Sequence, residues 1–152
     1  MKMGFTELFE EKNRLLENFL KQTQEYREAI KSETLSLDEK VDLIDELSDV
    51  REQNMKLMQL LDQEIENSRK QLKPETMENL HGDPDFKLKL DKTLQLIKEI
   101  QLTDQSLFLY IQSTGSEIRS QILKSLKEKE AVSKFKSQSQ GPLGDEVDKT
   151  VY

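Results

Sequence analysis

The side chains with the most chemistry to offer are carboxylates, and they crowd into one stretch, "DEKVDLIDE", residues 38–46. Paired carboxylates can hold a divalent cation or share acid and base roles. Here Asp38, Asp42, Asp45, Asp49 and Glu52 alternate with apolar stripes, so they fall on the solvent face of a helix. A di-metal site in a helical bundle needs inward glutamates and a Glu-x-x-His pair. No such pair is present, and the single histidine, His81, sits in the turn-rich stretch "KPETMENLHGDP", residues 73–84. The chain has no cysteine, which excludes disulfides and thiol catalysis. It carries no glycine-rich phosphate loop. The residues therefore predict a protein that is not an enzyme and uses neither cofactor nor metal.

The elements that display these residues read as helices. In the segment 37–72, Leu37, Val41, Ile44, Arg51, Met55, Met58, Asp62 and Ile65 lie on one heptad seam. Leu43, Leu47, Val50, Asn54, Leu57 and Leu61 trace a second stripe beside it. Two stripes imply two neighbours, and hence a bundle of at least three members. A first helix spans 5–31, with Phe5, Leu8, Lys12, Leu15, Phe19, Gln22 and Tyr26 on its seam and Leu16, Leu20 and Ile30 widening the face. Ser36 and Glu39 fit a capping box ahead of the second helix. The short link at 32–36 favours antiparallel neighbours.

Residues 73–84 carry two prolines and a glycine and are read as a break. A third helix starts near Asp83 or Pro84 and runs to about 136. Phe86, Leu90, Leu94, Ile97, Ile100, Asp104, Leu107, Phe108 and Ile111 carry its pattern. Gly115 leaves two options open, a bend or a break into a fourth helix. Unbroken, the third helix would reach roughly 75 Å, against ~54 Å for the second. Apolar residues beyond Gly115 would then need another partner. The expected fold is all-α: an elongated antiparallel bundle of three helices, or four, with coiled-coil-like packing and a long third helix. Residues 1–136 form it, and the polar stretch 137–152 reads as a disordered tail.

Composition agrees with thin helices. Of 152 residues, 34% are hydrophobic and 35% charged. No apolar run approaches the ~18 residues of a membrane span, so no membrane insertion is expected. Acids stand where a signal peptide has its apolar region, which points to a cytoplasmic location. The net charge is −7, and residues 1–72 hold 11 basic against 17 acidic side chains. Residues 119–136 are basic, net +4, through Arg119, Lys124, Lys127, Lys129, Lys134 and Lys136 against two glutamates. That run suits either a solvated helix end or a docking patch for an acidic partner. Nucleic acid is not expected as a partner, because the chain is acidic and no aromatics interleave a basic groove.

Lys12, Gln22, Arg51, Asp62 and Asp104 occupy seam positions where tight packing prefers leucine. Such residues either fix register or weaken a seam that opens to accept another helix. The residues chosen as a client-facing stripe are Leu107, Phe108, Ile111, Ile118, Ile122, Leu123 and Leu126.

Three stretches resemble the flagellar export chaperones of the FlgN and FliT type. They are "VDLIDELSDVREQNMKLMQLLDQEI" in the second helix, "LKLDKTLQLIKEIQLTDQSLFLYIQ" in the third, and the closing "ILKSLKEKEAVSKFKSQ". The resemblance covers about residues 5–136. It implies a cytoplasmic bundle, a monomer or weak homodimer. Such a bundle binds a C-terminal helical segment of a flagellar axial protein, hook–filament junction or cap subunit, and delivers it to an export-gate component. The family associates a tyrosine near the end of the last helix with gate docking. This chain has Phe135 there, which keeps the aromatic face and lacks the hydroxyl. Lys124, Lys127, Lys129 and Phe135 are the corresponding docking expectation. A homodimeric coiled-coil scaffold and a regulatory adaptor are the competing readings.

Overall fold

The computed structural model describes the backbone of residues 3–140 and the side chains of residues 3–133. Among the described residues the chain is all-helical, with four helices: α1 Phe5–Lys31, α2 Leu37–Gln71, α3 Pro74–His81 and α4 Pro84–Gln140. Local chemistry sets the boundaries. The Ser36 hydroxyl accepts from the Glu39 N–H at 3.2 Å and donates to its carboxylate at 3.0 Å, which caps α2. At the start of α4, the Asp83 carboxylate accepts from the Asp85 N–H at 3.0 Å.

Two expectations are refined. The linker is not a simple break, because Pro74 takes the first turn of a helix, where a missing N–H costs nothing. His81 therefore stands, exposed, in the last turn of α3. The second concerns Gly115, where α4 continues as regular helix. A methyl group at Gly115 would meet no heavy atom within 4 Å, so no close packing there demands glycine. Helix also extends through 137–140, residues assigned above to the tail. The remainder of that tail, 141–152, lies outside the described residues.

The chain divides into two compact units, residues 1–111 and 112–152. The first unit has three core clusters. One joins Phe5 and Leu8 of α1, Leu61 and Ile65 of α2, and Phe86 of α4. Leu72 and Leu80 close over it, and the rings of Phe5, Phe9 and Phe86 stack edge-on or tilted. The next joins Leu16 and Leu20 to Leu96 and Ile100, with Met58 alongside. The third joins Ile30, Leu47 and Leu107. Along the clusters α1 and α4 numbers rise while α2 numbers fall.

The core differs in detail from the seams read off the sequence. Leu16, Leu20 and Ile30, taken above as face-widening, are buried, whereas Leu94 is exposed. Asn13, Thr23, Thr93 and Thr103 are buried instead. The Thr23 and Thr103 hydroxyls donate to the carbonyl four residues back at 2.8 Å, and the one Thr93 proton is shared between the Lys89 carbonyl at 2.9 Å and Asn13 Oδ1, so burying them leaves no donor unpaired.

The second unit is described through residue 140 as the later part of α4. Ile118 is half-buried there, and every residue from Arg119 to Val132 is exposed.

Candidate binding surfaces

The polar seam residues find partners across helices within the first unit. Lys12 of α1 pairs with Asp62 of α2 at 2.8 Å. The Asn54 amide of α2 donates to the Gln22 carbonyl of α1 at 2.8 Å. The Arg51 guanidinium of α2 pairs with the Asp104 carboxylate of α4 at 2.6 Å. Asn13 accepts from Thr93 and donates to the Lys89 carbonyl at 3.1 Å. Each pairing is satisfied in one register only, because a slip of one turn moves the partners ~5.4 Å apart. All five polar seam positions named above are accounted for in this way. On α2, Asn54 of the second stripe and Asp62 of the first both reach α1, while Arg51 of the first reaches α4.

One pair is incomplete. Arg51 holds Oδ2 of Asp104 and lies over the Phe19 ring, 5.3 Å from its centroid. The other oxygen, Oδ1, is buried with no hydrogen-bond partner. Beside it opens a groove of ≈ 360 Å³ lined by Arg51, Asp104, Gln105, Leu107, Phe108 and Ile111. A second groove, ≈ 470 Å³, lies between α1 and α2 around Phe19, Gln22, Asn54 and Leu57. Its rim is bridged by the Gln22–Asn54 bond.

The expected client-facing residues separate. Leu107 is 1% exposed, packed with Ile30 and Leu47, so it is a core residue and not an open contact. Ile111 is half-buried against the same cluster. Phe108 is 58% exposed at the groove. These three belong to the first unit. In the second, Ile118 is half-buried, and Ile122, Leu123 and Leu126 are 54%, 59% and 40% exposed. Lys124, Lys127 and Lys129 are exposed on the same helix. Phe135 is in α4, and its side chain lies outside the described residues.

No group of three or more His, Cys, Asp or Glu able to hold a metal ion occurs among the described residues. No described helix is long and apolar enough to cross a membrane. Asp38, Asp42 and Asp45 of "DEKVDLIDE", and Asp49 and Glu52 just beyond it, are all exposed. The sequence pattern flagged Arg51 and Asp104 as odd residues for a seam. It held no signal for the groove they border or for the buried, unpartnered Asp104 oxygen. Comparison with known protein families, with curated proteins and with solved structures finds no match.

Proposed function

We propose that this chain is a helix-capturing binding protein, and specifically a cytoplasmic flagellar export chaperone without enzymatic activity. In this reading the first unit is an antiparallel three-helix bundle with coiled-coil-like packing. The client is the C-terminal helical segment of a hook–filament junction or cap protein. It is held by the later part of α4 through Ile118, Ile122, Leu123 and Leu126. Lys124, Lys127, Lys129 and Phe135 serve the export machinery, and the protein works as a monomer or weak homodimer.

One observation carries the helix-capture reading: large apolar side chains at Ile122, Leu123 and Leu126 stand 40–59% exposed on one helix. Fully covering each is worth ~1.5–3 kcal/mol before ordering costs. A helix gains most of its stability from a packed face, so such a segment is stabilised by a partner helix. The flagellar assignment is supported by the resemblance of the three quoted stretches alone. The test is the double substitution Ile118→Asp, Ile122→Asp. Client affinity should fall below detection while the helical content of the first unit is kept. Unchanged affinity would reject the assignment of the stripe. The same exposed side chains suit a second copy in a homodimeric scaffold, which predicts a concentration-dependent dimer that the double substitution dissolves.

A further inference from the structure

Within the first unit, α4 carries leucines on the face that points away from the core. Leu88, Leu94 and Leu102 are 66%, 67% and 56% exposed. At ~100° per residue, Leu88, Asp91, Gln95, Lys98 and Leu102 fall within an arc of roughly 80°. The buried Phe86, Leu96, Ile100 and Leu107 lie on the opposite face. We infer that this outer face is the contact surface for a second copy of the chain, with the two α4 helices antiparallel and the two-fold axis at Gln95. The inference goes beyond the client reading. It gives the weak homodimer a surface in the first unit, and it holds whichever segment the later part of α4 binds.

The pattern about Gln95 is self-complementary. Leu88 precedes it by seven residues and Leu102 follows it by seven. An antiparallel pairing centred there sets Leu88 of each copy against the partner's Leu102, as a two-fold contact requires. Asp91 stands four residues before the axis and Lys98 three after it. Each Asp91 then meets the partner's Lys98 with an offset of one residue, ~1.5 Å. Neither side chain has a hydrogen-bond or ion-pair partner among the described residues, so both are available for that pair. On one flank Lys92, which holds Glu17 of its own α1 at 2.5 Å, comes beside the partner's Glu99. A parallel pairing would set Asp91 against Asp91 and Lys98 against Lys98, so charge selects the antiparallel one.

Charge also selects this helix over its neighbours as the place where two copies meet. Residues 84–111 hold four lysines against four acids, whereas residues 1–72 hold 11 basic against 17 acidic side chains. Two acidic surfaces repel one another and two neutral ones do not. The leucines that end the contact are ~21 Å apart along the helix, which makes a small interface of the weak class. A dissociation constant of about 10–100 μM is expected.

The test is sedimentation equilibrium of the full chain at concentrations bracketing that range. A reversible monomer–dimer equilibrium is expected. Leu102→Asp alters an exposed residue and should weaken the dimer about tenfold or more, with helical content unchanged. Asp91→Lys and Lys98→Asp each turn an attractive pair into a repulsive one, so each should weaken the dimer. The double variant Asp91→Lys, Lys98→Asp restores opposite charges and should recover it. Ile118→Asp, Ile122→Asp should leave it intact, which separates this surface from the client stripe. A monomer at every concentration overturns the inference. So does a dimer that Leu102→Asp does not weaken, or a charge exchange no better than the single variants. If Ile118→Asp, Ile122→Asp dissolves the dimer and Leu102→Asp does not, the copies meet through the later part of α4 instead. If no dimer forms and Leu102→Asp weakens a client segment, the face belongs to that client and the inference fails.

Discussion

Leu107→Ala separates the core from the binding surfaces most sharply. Leu107 is 1% exposed and packs with Ile30 and Leu47, so truncation removes buried methyl groups and leaves a cavity between three helices. Leucine-to-alanine changes at such sites cost ~2–5 kcal/mol, depending on how far the neighbours collapse. The site is bounded by regular helices, which cannot close independently, so a cost of about 3 kcal/mol is expected. Against a total stability of ~5–15 kcal/mol this is a large fraction. The matched control is Ile122→Ala, in a residue 54% exposed, for which a change within about 0.5 kcal/mol is expected. Urea unfolding followed by circular dichroism at the helical band reads both. With a slope of ~2 kcal/mol per molar, the Leu107→Ala midpoint falls by roughly 1.5 M and the Ile122→Ala midpoint barely moves. Equal midpoints for Leu107→Ala and the unsubstituted protein would refute the division between core and surface.

Two further predictions follow from buried and half-buried polar contacts. Thr93→Val leaves the buried Asn13 side chain without the Thr93 hydroxyl and should cost about 1–3 kcal/mol, whereas Asn13→Leu with Thr93→Val should recover most of it; a double variant no better than the single one refutes the pairing. The Tyr26 phenol is held above its usual 10.0, chiefly by burial and then by its hydrogen bond to the Glu46 carboxylate. A proton held more tightly in the folded state stabilises below the unfolded value and is lost as pH rises through the folded one. The stability difference between the protein and Tyr26→Phe should thus be constant up to about pH 10 and shrink above it. A difference that stays constant through the alkaline range contradicts the shift.

How far the sequence predicts this arrangement depends on whether the controlling chemistry is local. Ser36 and Asp83 cap their helices through residues two or three positions away, so both starts were legible. Pro74 marks the end of α2, but proline also opens a first turn, and spacing alone does not reveal that α3 starts there. The buried threonines escaped an apolar-periodicity reading because their hydroxyls are satisfied by their own helix, a bond invisible to hydropathy. Arg51 and Asp104 stood out as misplaced polar residues, but they are 53 positions apart and only tertiary packing joins them. Leu107 and Phe108 are adjacent and equally apolar, yet one faces the core and the other a groove. Periodicity locates an apolar stripe and leaves its rotation toward a neighbour undetermined by about one residue.

The most direct test of helix capture is size-exclusion chromatography with light scattering. The full chain is run alone and then with C-terminal helical segments of hook–filament junction and cap proteins from the same genome. The account predicts a monomer or weak dimer alone and a 1:1 complex with one segment, lost in Ile118→Asp, Ile122→Asp. A tight dimer that ignores every segment would contradict it and place the homodimeric scaffold first.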